Sequence, residues 1–301
     1  MTADILTLGE ALIEFVRLPE VDGRVLYEMG FGGDTSNVAI AAARQGASVG
    51  YVSAVGDDMF GHALRDLWRV DNVSDAHVLT LAGDPTGVYF VQPHPSGREF
   101  TYARRGSAAS LYRPEDLPEQ AISDAKVLHA SGISQAISPG MRAAVRRGAE
   151  LARGHGTLFS FDINLRLKMW SLQDARAALA EILPLADIVF PSLDEALVMT
   201  GLTDHDAILS HFLDFGAAIV VLKLGEAGAI VATPRMRTTI PAAPVTPVDS
   251  TGAGDSFAGA FLAYYLETGD EARAGHLASH VAAGTVSGFG AVAPIPIRSK
   301  S

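Results

Sequence analysis

Strand-like and helix-like segments alternate along most of the chain. This alternation limits the fold more than any other feature of the sequence. Residues 4–9 (DILTLG) read as a short buried strand and 37–44 (NVAIAAAR) as an Ala-rich helix stopped by Gly46. Residues 47–55 read as a strand and 61–68 as a helix. The rhythm continues with strands at 127–130, 157–161, 187–190 and 218–224, and helices at 139–153, 173–183, 193–199 and 204–214. Strands separated by long helices join as βαβ units. The expected fold class is therefore α/β, a three-layer doubly wound, mainly parallel sheet. Ligands in such sheets bind beyond the carboxyl ends of the strands.

One region breaks the rhythm. Residues 86–92 and 98–104 are strand-like runs around Pro93-His94-Pro95-Ser96-Gly97, which is a hairpin signal. Residues 11–17 and 24–30 add further strands beside it. The expectation is a small β-sheet lid from segments about 10–31 and 84–107, attached to a single domain over 1–301. No linker, repeat or low-complexity tract divides the chain.

Composition excludes several functions. The chain has 23 Lys+Arg, of which 19 are Arg and 4 Lys, against 34 Asp+Glu, a net charge of −11. Bulk nucleic-acid binding is excluded, because phosphate contacts need Lys and Arg. With no cysteine, there is no thiolate chemistry, disulfide or Cys-ligated metal. The longest charge-free run, Ala274 to Ile297, holds two His, four Gly and two Pro, which argues for a buried helix followed by a tight turn rather than a membrane span. The first residues have no cationic start or cleavable apolar core. A soluble, cytoplasmic protein is expected.

The chemistry lies near the C-terminus. Asp249-Ser250-Thr251-Gly252-Ala253-Gly254-Asp255 precedes the apolar helix 256–266 (SFAGAFLAYYL). Small residues let a ligand approach the backbone, and the N–H groups of the first helical turn favour an anion. A carboxylate at an anion site needs a task. Asp255 fits the proton acceptor for a hydroxyl that attacks a phosphoryl group. The bland alternative is a helix cap beside a Gly turn.

These residues closely resemble the second signature of the ribokinase-like (PfkB) carbohydrate kinases. Gly32-Gly33-Asp34-Thr35-Ser36-Asn37 resembles their N-terminal G-G-x-x-x-N signature. The resemblance spans the whole chain. It implies a catalytic base at Asp255 with Gly252, Ala253 and Gly254 around the transferred group. It implies ATP and Mg²⁺, and a homo-oligomer acting on a small-molecule sugar, with no nucleic-acid or membrane partner. Lys223-Leu224-Gly225-Glu226-Ala227-Gly228 resembles the family's ATP loop, although alone it reads as a hairpin turn. Pro191-Ser192-Leu193-Asp194-Glu195 resembles N-x-x-E, with Ser192 in place of Asn and Glu195 organising Mg²⁺ through water. Asn164, Arg166 and His280 are further expected nucleotide contacts. Asp249 is expected to help hold a monovalent cation such as K⁺.

The sugar end resembles the 2-keto-3-deoxygluconate kinase subfamily in Tyr102-Ala103-Arg104-Arg105-Gly106-Ser107-Ala108 and in Asp162-Ile163-Asn164-Leu165-Arg166. The subfamily's usual second Tyr is Ala103 here. The resemblance implies that Gly33, Asn37, Tyr89, Tyr102, Arg104 and Arg166 contact the substrate, together with Asp255. Two arginines exceed what a neutral sugar requires, and a guanidinium fork suits a carboxylate. The expected reaction is phosphorylation of the C6 hydroxyl of 2-keto-3-deoxygluconate. Either arginine serving ATP phosphates or a surface ion pair is the competing reading. Alternatives are a fructokinase or other sugar or nucleoside kinase, and a non-catalytic sugar-binding protein.

Overall fold

The computed structural model describes residues 3–94 and 97–299. Among these described residues, thirteen strands form two sheets. They are β1 (Ile5–Leu8), β2 (Leu12–Arg17), β3 (Tyr27–Gly32), β4 (Val49–Gly56), β5 (Val73–Leu81), β6 (Val88–His94), β7 (Gly97–Ala103), β8 (Val127–Ser131), β9 (Leu158–Asp162), β10 (Ile188–Phe190), β11 (Ile219–Lys223), β12 (Ala229–Thr233) and β13 (Met236–Ile240). The helices are α1 (Asp34–Arg44), α2 (Met59–Val70), α3 (Glu119–Asp124), α4 (Gly132–Ile137), α5 (Pro139–His155), α6 (Leu172–Ile182), α7 (Leu193–Thr200), α8 (His205–Asp214), α9 (Ala253–Thr268) and α10 (Glu271–Val286).

The large sheet runs β13-β12-β11-β10-β9-β8-β1-β4-β5. Pairing is parallel from β5 to β11, and β12 and β13 add an antiparallel edge. Its central strands are apolar runs buried on both faces, as parallel strands must be when helices cover them. Successive side chains feed separate cores. Leu6, Leu8 and Leu128 pack with α5, α6 and α8 residues, whereas Ile5 and Val127 pack with α1, α2, α9 and α10 residues. The helix α9 is buried from Ser256 to Tyr264. That depth explains its almost uniformly apolar sequence.

The small sheet runs β3-β2-β6-β7. It consists of two antiparallel pairs joined by the parallel β2–β6 pairing. Its strands are two insertions, one between β1 and α1 and one between β5 and α3. The hairpin is where it is expected, with strands reaching His94 and resuming at Gly97; Pro95 and Ser96 lie outside the described residues. Three strands escaped the sequence reading. β5 is a mixed-polarity edge with alternating exposure, and β12 and β13 are short strands that end the large sheet on its other side, β13 being the edge.

Candidate active site

Several candidate residues gather at the carboxyl ends of the parallel strands, as Lys223 does at the end of β11 and Ser192 after β10, where ligands bind in such sheets. The helix α9 starts behind Gly252, which holds a left-handed φ of 75°. A Cβ there would lie 2.8 Å from the Ala291 carbonyl oxygen, so this loop packs backbone to backbone on the 288–291 turn. Asp249 fixes the same contact. Its Oδ1 accepts from Thr251 N at 3.0 Å and Thr251 Oγ1 at 2.7 Å, and its Oδ2 accepts from Gly290 N at 3.0 Å. The Asp249 carboxylate expected at a monovalent cation is thus engaged in tying loop to turn. The first-turn N–H groups of α9 have no intrahelical acceptors and carry the positive end of the helix dipole.

Asp255 lies in that first turn. Asn37 Nδ2, from α1, donates to its Oδ2 at 2.8 Å. Burial and then the nearby Asp34 push the Asp255 carboxyl up to about 7, against the opposing pull of Asn37 and Lys223. A carboxyl with that affinity for a proton suits a general base at neutral pH. Lys223, at the end of β11, donates from Nζ to Asp162 Oδ2 at 2.6 Å. A Cβ on Gly254 would lie 3.4 Å from that Nζ, so the ammonium stands directly beside the Gly loop. Burial pushes Asp162 up, and the Lys223 charge limits the rise. Burial opposes the Lys223 charge, but Asp162 and Glu195 outweigh it and leave its pKa raised.

Asn164 is expected at the nucleotide, but its amide Nδ2 donates to Asp34 Oδ2 at 2.9 Å. Its backbone takes a positive φ of 36°. Ser192 and Glu195 form a reciprocal capping box at the start of α7. Ser192 Oγ accepts from Glu195 N at 3.4 Å, and Glu195 Oε2 accepts from Ser192 N at 3.2 Å. The Ser in place of Asn therefore has a local structural duty. Glu195 Oε1 accepts from Leu165 N at 3.1 Å and faces Arg166 Nη1 at 3.4 Å. The Arg166 side chain is half exposed. Gly225 begins and Gly228 caps a 3₁₀ turn joining the antiparallel β11 and β12, so the expected ATP loop is also a hairpin turn. His280 is exposed, and its Nδ1 bonds to His276 O of its own helix at 2.9 Å. The sequence reading placed it on a buried helix, but its side of α10 faces outward.

On the small sheet, Tyr89 and Tyr102 are direct cross-strand partners, and their rings stack at 5.6 Å. Tyr89 Oη donates to Glu14 Oε2 at 2.6 Å, and both residues are buried. Tyr102 is half exposed. Gly33 has a φ of 114°, and a Cβ there would meet Glu10 O at 2.5 Å. Only glycine fits this passage from β3 into α1. Arg104 differs from expectation. Its guanidinium forms a buried ion pair with Glu10, so its charge is already answered within the protein. Glu10, Glu14 and Asp34 were not singled out from sequence. The available signals were an acidic residue directly after the first strand and another directly after Gly-Gly at a helix start.

A nine-stranded, mainly parallel sheet covered by helices, with a separate four-stranded sheet beside it, is the ribokinase-like fold. The chain belongs to the pfkB family of carbohydrate kinases, whose model matches residues 2–298, and it is a sugar kinase. It is 35% identical to probable fructokinase-4 of Arabidopsis thaliana over 312 residues, covering 98% of this chain and 94% of that protein. It is 34% identical to 2-dehydro-3-deoxygluconokinase of Thermoproteus tenax over 281 residues, covering 91% and 85%. Among solved structures it resembles a putative ribokinase II of E. coli in complex with ATP and Mg²⁺. That match has a TM-score of 0.89 and 28% identity, covering 97% of this chain and 96% of the other.

Proposed function

We propose that this sugar kinase transfers the γ-phosphoryl group of ATP to the C6 hydroxyl of 2-keto-3-deoxygluconate. The observation that carries the chemistry is Asp255, a carboxyl raised to about 7 in the first turn of α9. It accepts the proton of the attacking hydroxyl, while the N–H groups of the 252–254 loop stabilise charge on the transferred group. Mg²⁺ suits this donor set, since the Glu195 carboxylate is held in place by backbone N–H groups. Glu195 would hold the ion through water, and the ion would neutralise phosphate charge. Lys223 adds a fixed positive charge beside the loop. The small sheet closes over the sugar and excludes water.

The sugar-acid reading rests on Arg166, which follows β9 in the chain and whose half-exposed guanidinium faces Glu195. A second reading, a neutral ketohexose such as fructose, has its own support. Arg104 is neutralised by Glu10, the Glu14 carboxylate lies behind Tyr89, and several relatives are named fructokinases.

A substrate panel separates the two. ADP release is measured with 2-keto-3-deoxygluconate, fructose and ribose. The acid is expected to give the highest kcat/KM; a higher value for fructose replaces this reading with the second. Arg166→Ala is expected to raise the KM for the acid about 10-fold or more and leave the KM for ATP nearly unchanged. Equal rises would assign Arg166 to the phosphates.

A further inference from the structure

The chain passes between the large and small sheets four times, and all four passages meet at Glu10. Glu10 itself lies in the first, between β1 and β2. In the second, the missing Cβ of Gly33 leaves room for the Glu10 carbonyl oxygen, which a side chain would approach to 2.5 Å. In the third, a Cβ on Gly87, just before β6, would lie 2.8 Å from Glu10 Oε1. In the fourth, just after β7, Arg104 forms its ion pair with Glu10, and Ser107 Oγ donates to Glu10 Oε1 at 2.6 Å. The Glu10 side chain is 1% exposed and that of Arg104 15%. Asp58, at the start of α2, anchors the third passage from the body side. It accepts from Thr86 N and Thr86 Oγ1, each at 2.8 Å.

We propose that Glu10 is the hinge pin of the small sheet, and that Arg104 is a positioning residue held by it rather than a receptor for a substrate anion. The buried guanidinium and the buried carboxylate it faces form a pair with no net charge to attract a second carboxylate. The pair does have reach. The Arg104 guanidinium lies 5.9 Å from the Tyr102 ring centroid, and Tyr102 stacks on Tyr89. The hinge geometry thereby sets where the two tyrosines stand over the site. Breaking the pair leaves an uncompensated buried charge, and the strain falls where the two sheets join. The catalytic consequence rests on the proposed sugar-kinase reading; the mechanical one does not.

The test is amide hydrogen exchange on the ligand-free full chain, as wild type, Glu10→Gln and Arg104→Met. Exchange reports local opening. Amides in β2, β6 and β7 are expected to exchange about 10-fold faster or more in both variants, with β8 to β10 within about 2-fold of wild type. Unchanged rates in the small sheet, or equal acceleration everywhere, would overturn the hinge. Kinetics supply the second arm. Each variant is expected to raise sugar-independent ATP hydrolysis relative to phosphotransfer, and the double variant should be no worse than the worse single one. If Arg104→Met abolishes use of the sugar acid alone while fructose turnover and Glu10→Gln stay at wild-type levels, Arg104 is an anion receptor and the inference fails. A wild type that releases no ADP with any sugar overturns the functional reading, and the exchange data still decide the hinge.

Discussion

Asn37 Nδ2 donates to Asp255 Oδ2 across 2.8 Å, although the two residues lie 218 positions apart. The bond joins the first turns of α1 and α9, the two helix starts that follow the family signatures. It also acts on protonation, since a donor to a carboxylate favours its charged form. Asn37→Ala is predicted to push the Asp255 pKa above about 7. The acid limb of the pH profile of kcat/KM then moves to higher pH, and activity at pH 7 falls roughly 10-fold. An acid limb that stays in place would show that the bond does not tune Asp255.

Asp255 should make the fold less stable as pH rises. Its carboxyl titrates near 7 in the folded chain against an ordinary 3.8. Between these values the folded state binds more protons than the unfolded state, so stability falls with increasing pH. Asp255→Asn removes this cost. The variant is predicted to melt at a higher temperature than wild type at pH 8, with the gap shrinking towards pH 4. A gap independent of pH would contradict the raised pKa.

Lys223→Met should destabilise the chain by about 3–5 kcal/mol, because it leaves the Asp162 carboxylate buried without its partner. Adding Asp162→Asn should recover much of that loss, since both charges are then gone. Denaturant unfolding of the two single variants and the double variant measures this. Additive losses would show that the ion pair is not the unit of stability.

The large sheet was legible because buried parallel strands and amphipathic helices impose different periodicities on the sequence. The positions of β1, β4, β8, β9, β10 and β11 follow from apolar runs alone. β5 did not stand out, because an edge strand such as VSDAHVLTL carries polar residues on its open side. In the site, Asp255 and its loop were legible because small residues and an acid ahead of an apolar helix have few physical uses. The state of Arg104 was not. Its partner Glu10 lies 94 positions earlier (104 minus 10), and no local pattern reports an ion pair formed across two sheets. His280 shows the converse case. A charge-free stretch suggested burial, but Gly and Ala supply much of the apolar character of α10, and the His side faces solvent.

Sugar-dependent ADP release by wild type and Asp255→Asn, measured side by side with 2-keto-3-deoxygluconate, bears on the whole mechanism at once. General-base catalysis contributes about 10²–10⁴-fold. The prediction is ADP release by wild type that depends on the sugar, and a turnover at least ~10²-fold lower in the variant. Turnover by Asp255→Asn near the wild-type value, or wild-type ADP release indifferent to sugar, would contradict it.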